Sequence, residues 1–450
     1  MNIDWGLNMK FSAAFLIFII GMVLATILGI NMILPLLLGY FLFASVAIKQ
    51  GITVKALMDM TFRGVKKSLV VVKIMLCIGI LTAMWRAGGT ILFFVYYGVD
   101  IITPKIFVLA AFVLPLILSY AIGTSFGVSS TMGIILMTIA RASGANIPLT
   151  TGAILSGVYF GDRCSPASSS ASLTAIMTGT DLYTNVKLMH KTGLPGVILS
   201  LVLYGVLSYL NPISAMDTTT IEMIESQFNV SWVTVLPAVA MLILPLIKVP
   251  VYISMLISAA MAFVCAVWLQ DIPAFDVIKA CVLGMSSDGS YLGELLQGGG
   301  LKSMMDICII LLISCSYSSI FDETDMLAPV NSKIEGLIKK IGRFPAVCIV
   351  SIFACAIFCN QTIAVIVVAN LMSKAFKESG GTNQEFCIDI ENSGILFAGL
   401  VPWCIACSVP INLMGGTFAG VPYAFMLYLI PLTYFFTKKK YFPMDRKDVE

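Results

Sequence analysis

Long, nearly unbroken apolar stretches constrain the fold of this sequence more than any other feature. Apolar residues make up 59% of the 450-residue chain and charged residues only 11%, whereas soluble domains carry roughly 25% charged residues. The stretches are too continuous for the alternating strands of an outer-membrane barrel. Because a crossing helix needs about 20 mostly apolar residues, we predict an all-α polytopic membrane protein with about 11–13 transmembrane helices. This composition excludes a soluble enzyme, a disordered chain and a coiled coil.

The cysteines and the single histidine favour neither metal nor redox chemistry. Most of the 12 cysteines lie inside apolar runs, where buried Cys acts as a small hydrophobe. We expect no cofactor and no enzymatic activity. His190 lies among Lys187 and Lys191, which favours a solvated position in a cytoplasmic loop over a role as a pH sensor. The net charge of +3 gives no field for nucleic acid, so the expected partners are the lipid bilayer and small ions or substrates, with a homodimer left open.

Charges between the apolar stretches predict the orientation in the cell membrane. The segments 49–67 and 333–343 and the C-terminal tail are basic, whereas 211–231 holds three acidic residues and no basic one. The positive-inside rule places the basic loops and both termini in the cytoplasm. The predicted spans are 12–30, 31–48, 68–85, 90–102, 106–120, 124–142, 150–160, 192–210, 232–247, 250–269, 304–321, 345–359, 361–376, 394–409 and 420–437.

A weak internal repeat relates the two halves of the chain. The segments 152–157 and 394–399 both begin and end with Gly, and each precedes a polar interruption of an apolar region. An earlier polar break opens a helix in each half. Paired broken helices at matching places indicate a transporter binding site. We therefore predict two inverted repeats with broken helices or re-entrant hairpins. The N-terminal half is 1–230 with the site motif 152–173, and the C-terminal half is 231–450 with the site motifs 359–362 and 391–403.

The densest polar cluster in an apolar region begins at Asp162 and Arg163 and continues into a Ser-rich stretch interrupted by Pro166. An ionisable group in hydrocarbon costs at least about 2.5–3.5 kcal/mol, so its presence needs a reason. Hydroxyl and carbonyl oxygens suit a small, hard cation, and Asp162 supplies negative charge or carries a proton. The alternative is an ordinary loop with a structural Asp–Arg pair. The predicted ion- or substrate-binding residues are Asp162, Ser165, Ser168, Ser169, Thr124, Ser125, Asn360 and Gln361, with Na+ near Asp162, Ser165 and Asn360.

Four further charged residues are candidates for proton linkage or charge pairing: Arg86, Arg163, Glu391 and Asp322. Arg86 either pairs with an intramembrane carboxylate or extends to the membrane surface. Glu391 precedes the second polar interruption, and we favour a surface position at the end of a loop. An aspartyl intramembrane protease, suggested by Gly161-Asp162, would need a second Asp on a neighbouring helix, and the sequence offers no comparable partner in an apolar helix.

The motifs around Asp162 resemble those of the NhaC-type Na+/H+ antiporter family. The run 152–173 reads GAILSGVYFGDRCSPASSSASL, similar to a GAxxSGxYFGDxxSPxSDTTNL-like run in the family. The resemblance extends over roughly residues 70–430. It implies inverted repeats with helical hairpins, and exchange of external protons for cytoplasmic Na+ by alternating access, without ATP. Weaker matches lie at 85–90, 123–127, 178–182, 299–305 and 400–403.

Three positions depart from the family pattern. Ser169 stands where the family has Asp, Ser172 where it usually has Asn, and Asn360 where the second half usually reads Asp-Gln. Each missing carboxylate weakens the competition of Na+ and H+ for a shared negative site. Arg86 and Arg163 add positive charge, which favours an anion. The alternative function is therefore a Na+- or H+-coupled exchanger of small organic anions, of the malate/lactate type, or of amino acids.

Overall fold

The computed structural model describes residues 5–28, 30–101, 103–213, 224, 226, 228–247, 249–286, 298–322, 324 and 328–443. These residues are almost entirely helical, and the β-pairing among them is a single bridge between Met285 and Gly298. The all-α class is confirmed. The principal helices are α1 (Trp5–Leu28), α2 (Ile33–Lys49), α3 (Val54–Ala87), α4 (Thr90–Ile101), α5 (Phe107–Ile122), α6 (Ser125–Ala142), α7 (Ile147–Cys164), α8 (Ser169–Thr178), α9 (Leu182–Leu210), α10 (Leu236–Leu246), α11 (Val251–Trp268), α12 (Ala274–Leu283), α13 (Met305–Asp322), α14 (Ala328–Ile341), α15 (Arg343–Phe358), α16 (Gln361–Glu378), α17 (Asn383–Ile390), α18 (Ile405–Leu413) and α19 (Phe425–Tyr441).

Within the described ranges, five helices are long and apolar enough to cross a membrane. Two parts of α3, bent by 42° against each other, together form a sixth candidate. Several other apolar helices have 10–17 residues, and helices interrupted in the bilayer are tolerated where protein or a cavity surrounds the break. The chain is a multi-pass membrane protein. The five candidates are Pro104–Ile122, Ser125–Ala142, Leu182–Leu210, Val251–Trp268 and Phe418–Tyr441.

Helix α3 is the axis of one part of the structure, and α11 and α13 pack along it. The indole of Trp85 donates to the Ser258 hydroxyl over 2.9 Å, which in turn donates to the Pro237 carbonyl over 2.6 Å. These bonds satisfy buried polar groups while they join three helices. The basic segment 49–67, predicted as a loop, is mostly the start of α3, and most of 333–343 is the end of α14. The positive-inside rule predicts on which side of the membrane a basic segment lies. It does not distinguish a loop from the end of a helix.

A tight crossing of α5 and α7 sets the position of Asp162. A Cβ atom on Gly161 would lie 1.9 Å from the Ser119 carbonyl oxygen, and one on Gly157 would lie 2.4 Å from the Phe112 carbonyl oxygen. Only glycine permits this approach, as at other small-residue crossings in membranes. The Ser119 hydroxyl donates to the Gly157 carbonyl over 2.9 Å and accepts from the Gly161 amide over 3.0 Å. Asp162, one residue further along, is thereby held at the end of a rigid helix pair.

Candidate functional site

Two of the breaks have the same backbone conformation in the two halves of the chain. Between α5 and α6, Gly123 is left-handed with φ 79° and Thr124 is extended. Between α15 and α16, Cys359 is left-handed with φ 52° and Asn360 is extended. The Asn360 side chain caps α16 by accepting from the Ile363 amide over 3.3 Å. This local match agrees with the predicted repeat, and its inverted arrangement stays a prediction.

The break between α7 and α8 is built by its own serines. The Ser168 hydroxyl donates to the Asp162 carbonyl and accepts from the amides of Ser170 and Ala171, which caps α8. The Ser165 hydroxyl accepts from the Ala167 amide over 3.1 Å. Both hydroxyl groups are fully buried and neither residue lines the cavity described below. The structure therefore does not bring Ser165 and Ser168 to the predicted ion site, because they serve the backbone of the turn.

A fourth break separates the segment that ends near Gly399 from α18. The Ile405 amide donates to the Cys359 carbonyl over 2.8 Å, which ties this break to the one before α16. On the other side, a Cβ atom on Gly123 would lie 2.6 Å from the carbonyl carbon of Ala167, so the two breaks of the first half also touch. The four breaks thus form two touching pairs.

A cavity of about 140 Å³ lies where the breaks meet. Its wall carries hydroxyl and amide groups, and Asp162 is the one ionisable side chain among the lining residues. Ser169 and Thr362 are exposed, so the cavity opens on that side. Six of the eight predicted binding residues line the cavity: Asp162, Thr124, Ser125, Ser169, Asn360 and Gln361. The other lining residues are Val71, Phe126, Ser170, Thr362, Ile405 and Ala406.

The Asp162 carboxylate is buried and accepts hydrogen bonds from both halves of the chain. The Gln361 side-chain amide donates to one carboxylate oxygen over 3.1 Å, and the Ser170 hydroxyl donates to the other over 3.3 Å. Within the described ranges, no three His, Cys, Asp or Glu residues come together as a metal site. A cation in the cavity would therefore rely on one carboxylate and on neutral oxygens, the donor type that suits Na+.

Arg163 faces away from the cavity, although it follows Asp162 in sequence. Its guanidinium donates to the Asn392 side-chain oxygen over 2.9 and 2.6 Å and to the Met189 carbonyl over 2.8 Å. Arg86 donates to the Thr82 carbonyl over 3.0 Å and is likewise absent from the cavity wall. Neither arginine lines the cavity, so neither would contact an anion bound there. Among the described residues Arg86 makes no ion pair, and the side chain of Asp322 lies outside the described residues.

The structure places two residues differently from the sequence expectation. Glu391 is fully buried in a π-helical turn, Glu391–Ile395, rather than at the surface of a loop. His190 lies inside α9, where its ring packs edge-on against Tyr120 and Phe160 at 5.3 and 6.0 Å. Packing against distant helices decides both positions. The Asn-Ser-Gly sequence after Glu391 and the lysines around His190 do not predict that packing.

Sequence reasoning also missed a buried ion-pair network at the start of α17. Arg343 donates to both carboxylate oxygens of Glu385 over 2.9 and 3.2 Å, and Lys438 contacts Glu385 at 2.7 Å. Lys438 also pairs with the fully buried Asp389, which accepts from the Tyr434 hydroxyl over 2.9 Å. The i,i+4 spacing of Glu385 and Asp389 places both carboxylates on one face of a helix, and it is the sequence feature that could have predicted the network. The network joins α15, α17 and α19.

An oxygen-lined cavity at the meeting point of broken apolar helices is characteristic of secondary membrane transporters. The sequence profile of the Na+/H+ antiporter family matches residues 157–437, well over half of the chain. The chain belongs to the Na+/H+ antiporter family, as the resemblance at 152–173 predicted.

Individual relatives cover most of the chain. It is 27% identical to a malate-2H+/Na+-lactate antiporter of Bacillus subtilis over 92% of both chains. It is 22% identical to the Na+/H+ antiporter NhaC of Alkalihalophilus pseudofirmus, over 82% of this chain and 81% of the relative. It is 26% identical to an arginine/ornithine antiporter, ArcD, of Halobacterium salinarum, over 84% of this chain and 80% of the relative. Relatives of this chain thus have different named cargoes.

Proposed function

We propose that this protein exchanges external protons for cytoplasmic Na+ by alternating access of the cavity around Asp162. The observation that carries this proposal is the composition of the cavity wall, in which Asp162 is the one ionisable side chain among neutral oxygen and amide groups. A single carboxylate can hold either Na+ or H+, and their competition couples the two fluxes. Family membership agrees with this cargo.

The remaining parts of the proposal concern architecture and topology. The halves 1–230 and 231–450 are proposed to form the two inverted repeats, since each contributes two of the four breaks. Rocking of one repeat against the other would open the cavity alternately to each side. Both termini are placed in the cytoplasm by the positive-inside rule.

Coordination of Na+ is assigned to the Asp162 carboxylate and to the hydroxyl and amide oxygens beside it. Ser169 and Ser170 lie on the same wall as Asp162, and Thr124 and Asn360 lie at the neighbouring breaks. Hydroxyl and amide oxygens match a small, hard cation in the way that carbonyls and waters do. Proton binding to Asp162 removes the negative charge and with it the strongest ligand.

A second candidate function, exchange of small carboxylates coupled to Na+ or H+, is favoured by a different observation. Four helices begin at the cavity, at Ser125, Ser169, Gln361 and Ile405, and helix N-termini favour anionic groups. The cavity of about 140 Å³ would hold about five water molecules at the density of liquid water, more room than a bare ion needs. The Bacillus subtilis relative named for malate and lactate agrees with this candidate.

The two functions are separated by flux measurements on purified protein in liposomes. Vesicles loaded with ²²Na+ are diluted into Na+-free buffer at acidic external pH, with and without malate, lactate or arginine on either side. Sodium/proton exchange predicts ²²Na+ efflux and internal acidification without any organic solute. Carboxylate exchange predicts that both fluxes need a carboxylate on both sides. Protein-free vesicles give the background in each arm.

A further inference from the structure

Glu391 is a buried acidic side chain that does not line the cavity of the proposed cation site. It opens the π-helical turn Glu391–Ile395, and its side chain is fully inaccessible to solvent. Neither carboxyl oxygen has a hydrogen-bond partner among the described residues. An isolated carboxylate in such a place is strongly unfavourable. A proton on Glu391 would remove this cost.

A candidate counter-ion lies close to Glu391 without being bound to it. Arg163 and Asp162 are the charged groups that act on Glu391. Arg163 uses its Nε and one terminal nitrogen on Asn392, while its Nη1 is buried and has no partner among the described residues. An open donor on a buried guanidinium would become an ion-pair partner once Glu391 lost its proton.

The other titratable groups around the π turn are weak acids or are already paired. Cys164 on α7 and Cys387 on α17 are buried thiols near Glu391, and Cys355 on α15 donates to the Gly394 carbonyl at 3.5 Å. Tyr434 on α19 donates to Asp389, whose charge is balanced by Lys438. From α8 and α9 the neighbouring polar groups are the neutral hydroxyls of Thr174 and Thr192. Arg163 is thus the only cation with an open donor beside Glu391 among the described residues.

A short polar path connects Glu391 with the cavity. The Thr174 side chain faces Glu391 and donates to the Ser170 carbonyl over 3.0 Å. The Ser170 hydroxyl donates to Asp162 over 3.3 Å. Thr174 and Ser170, one helical turn apart on α8, thus bring two hydroxyl groups into the region between Glu391 and Asp162.

We propose that Glu391 is a second proton-carrying carboxylate, which makes each exchange cycle carry net charge. In the Na+-loaded state, Na+ and Arg163 balance ionised Asp162 and ionised Glu391. In the proton-loaded state both carboxyls are neutral, and Arg163 leaves one positive charge. A proton bound from external water at each carboxyl is released to cytoplasmic water on the opposite side. This inference rests on the proposed Na+/H+ exchange, because exchange at Asp162 alone would move no net charge.

Voltage dependence of ²²Na+ efflux tests the proposal. Liposomes with purified protein and internal Na+ receive an inside-negative potential from K+ efflux through valinomycin. The unmodified protein is expected to release ²²Na+ faster under this potential, because entering protons exceed leaving Na+. Glu391→Gln, which mimics the protonated side chain, is expected to lose this acceleration. Glu378→Gln is the matched control, since Glu378 is exposed and its ion pair within the described ranges is with Lys374. Voltage-independent efflux in the unmodified protein, or full acceleration in Glu391→Gln, would overturn the proposal.

Infrared spectroscopy tests the protonation of Glu391 without measuring transport. It therefore remains informative if Glu391→Gln is inactive. The unmodified protein at neutral pH is expected to show the carbonyl stretch of a buried, protonated carboxylic acid. Glu391→Gln should lose this band, and Glu378→Gln should keep it. A spectrum unchanged by Glu391→Gln contradicts the assignment. If the band behaves as expected but no Na+ exchange occurs, the proposed function fails while the protonated state of Glu391 stands.

Discussion

The side-chain amide of Gln361 donates to the Asp162 carboxylate over 3.1 Å, across 199 positions of sequence. Gln361 is the first residue of α16 and Asp162 lies in the last turn of α7, so the bond crosses the boundary between the two halves at the cavity. A rocking motion of the halves would break or remake it. Alternating access would then act directly on the group that binds the cation.

Removing this donor is expected to weaken Na+ binding. A hydrogen bond to a charged group contributes about 1.5–3 kcal/mol, so Gln361→Ala should raise the half-saturating Na+ concentration by at least about tenfold. The measurement is the rate of exchange in liposomes as a function of Na+ concentration. Gln50→Ala is the control, because Gln50 is exposed at the end of α2. An unchanged Na+ dependence in Gln361→Ala would show that the bond does not orient the carboxylate for Na+.

A second carboxylate in the cavity is expected to favour Na+ and to disfavour an anion. Asn360→Asp keeps the cap of α16, since Asp caps a helix about as well as Asn. Its charge faces the cavity beside Asp162, which should lower the half-saturating Na+ concentration at alkaline pH. Carboxylate transport, if present, should fall in the same variant. A fall in carboxylate exchange with no change in the Na+ dependence of Asn360→Asp would favour the second candidate function.

Breaking the buried ion-pair network is expected to destabilise the protein. Lys438→Met leaves Asp389 with no cation and Glu385 with Arg343 alone. Removing one partner of a buried pair costs about 3–5 kcal/mol, since the remaining charge stays desolvated. Thermal unfolding in detergent should show a lower midpoint than in Lys439→Met, which removes an exposed lysine next to it. Equal midpoints in the two variants would mean that the network adds no stability.

The crossing of α5 and α7 is expected to tolerate no side chain at Gly161. A methyl group there would lie 1.9 Å from the Ser119 carbonyl oxygen, so Gly161→Ala must separate the helices and displace Asp162. We expect poor yield of folded protein and, in what folds, loss of exchange. Gly205→Ala in α9 has open space around it and should be neutral or stabilising by up to about 1 kcal/mol. Normal folding and exchange in Gly161→Ala would refute the packing argument.

Local sequence signals predicted the class of fold and the centre of the site, and tertiary contacts decided the rest. Length and apolarity of the stretches predict membrane helices, and the Gly- and Ser-rich run beside Asp162 predicts a broken helix, because both depend on neighbouring residues alone. The burial of Glu391 depends on helices that pack from distant parts of the chain. The direction of Arg163 depends equally on Asn392, which lies 229 positions away. No local pattern encodes such partners.

The central claim is that Asp162 carries Na+ and H+ in turn, and its most direct test is exchange by Asp162→Asn in liposomes. Asn keeps the shape and the amide or carbonyl contacts but removes the charge and the titrating proton. We predict that Asp162→Asn loses pH-driven ²²Na+ flux to the level of protein-free vesicles, while Asp276→Asn, an exposed control in α12, retains it. Coupled Na+/H+ exchange in Asp162→Asn at the rate of the unmodified protein would contradict the account.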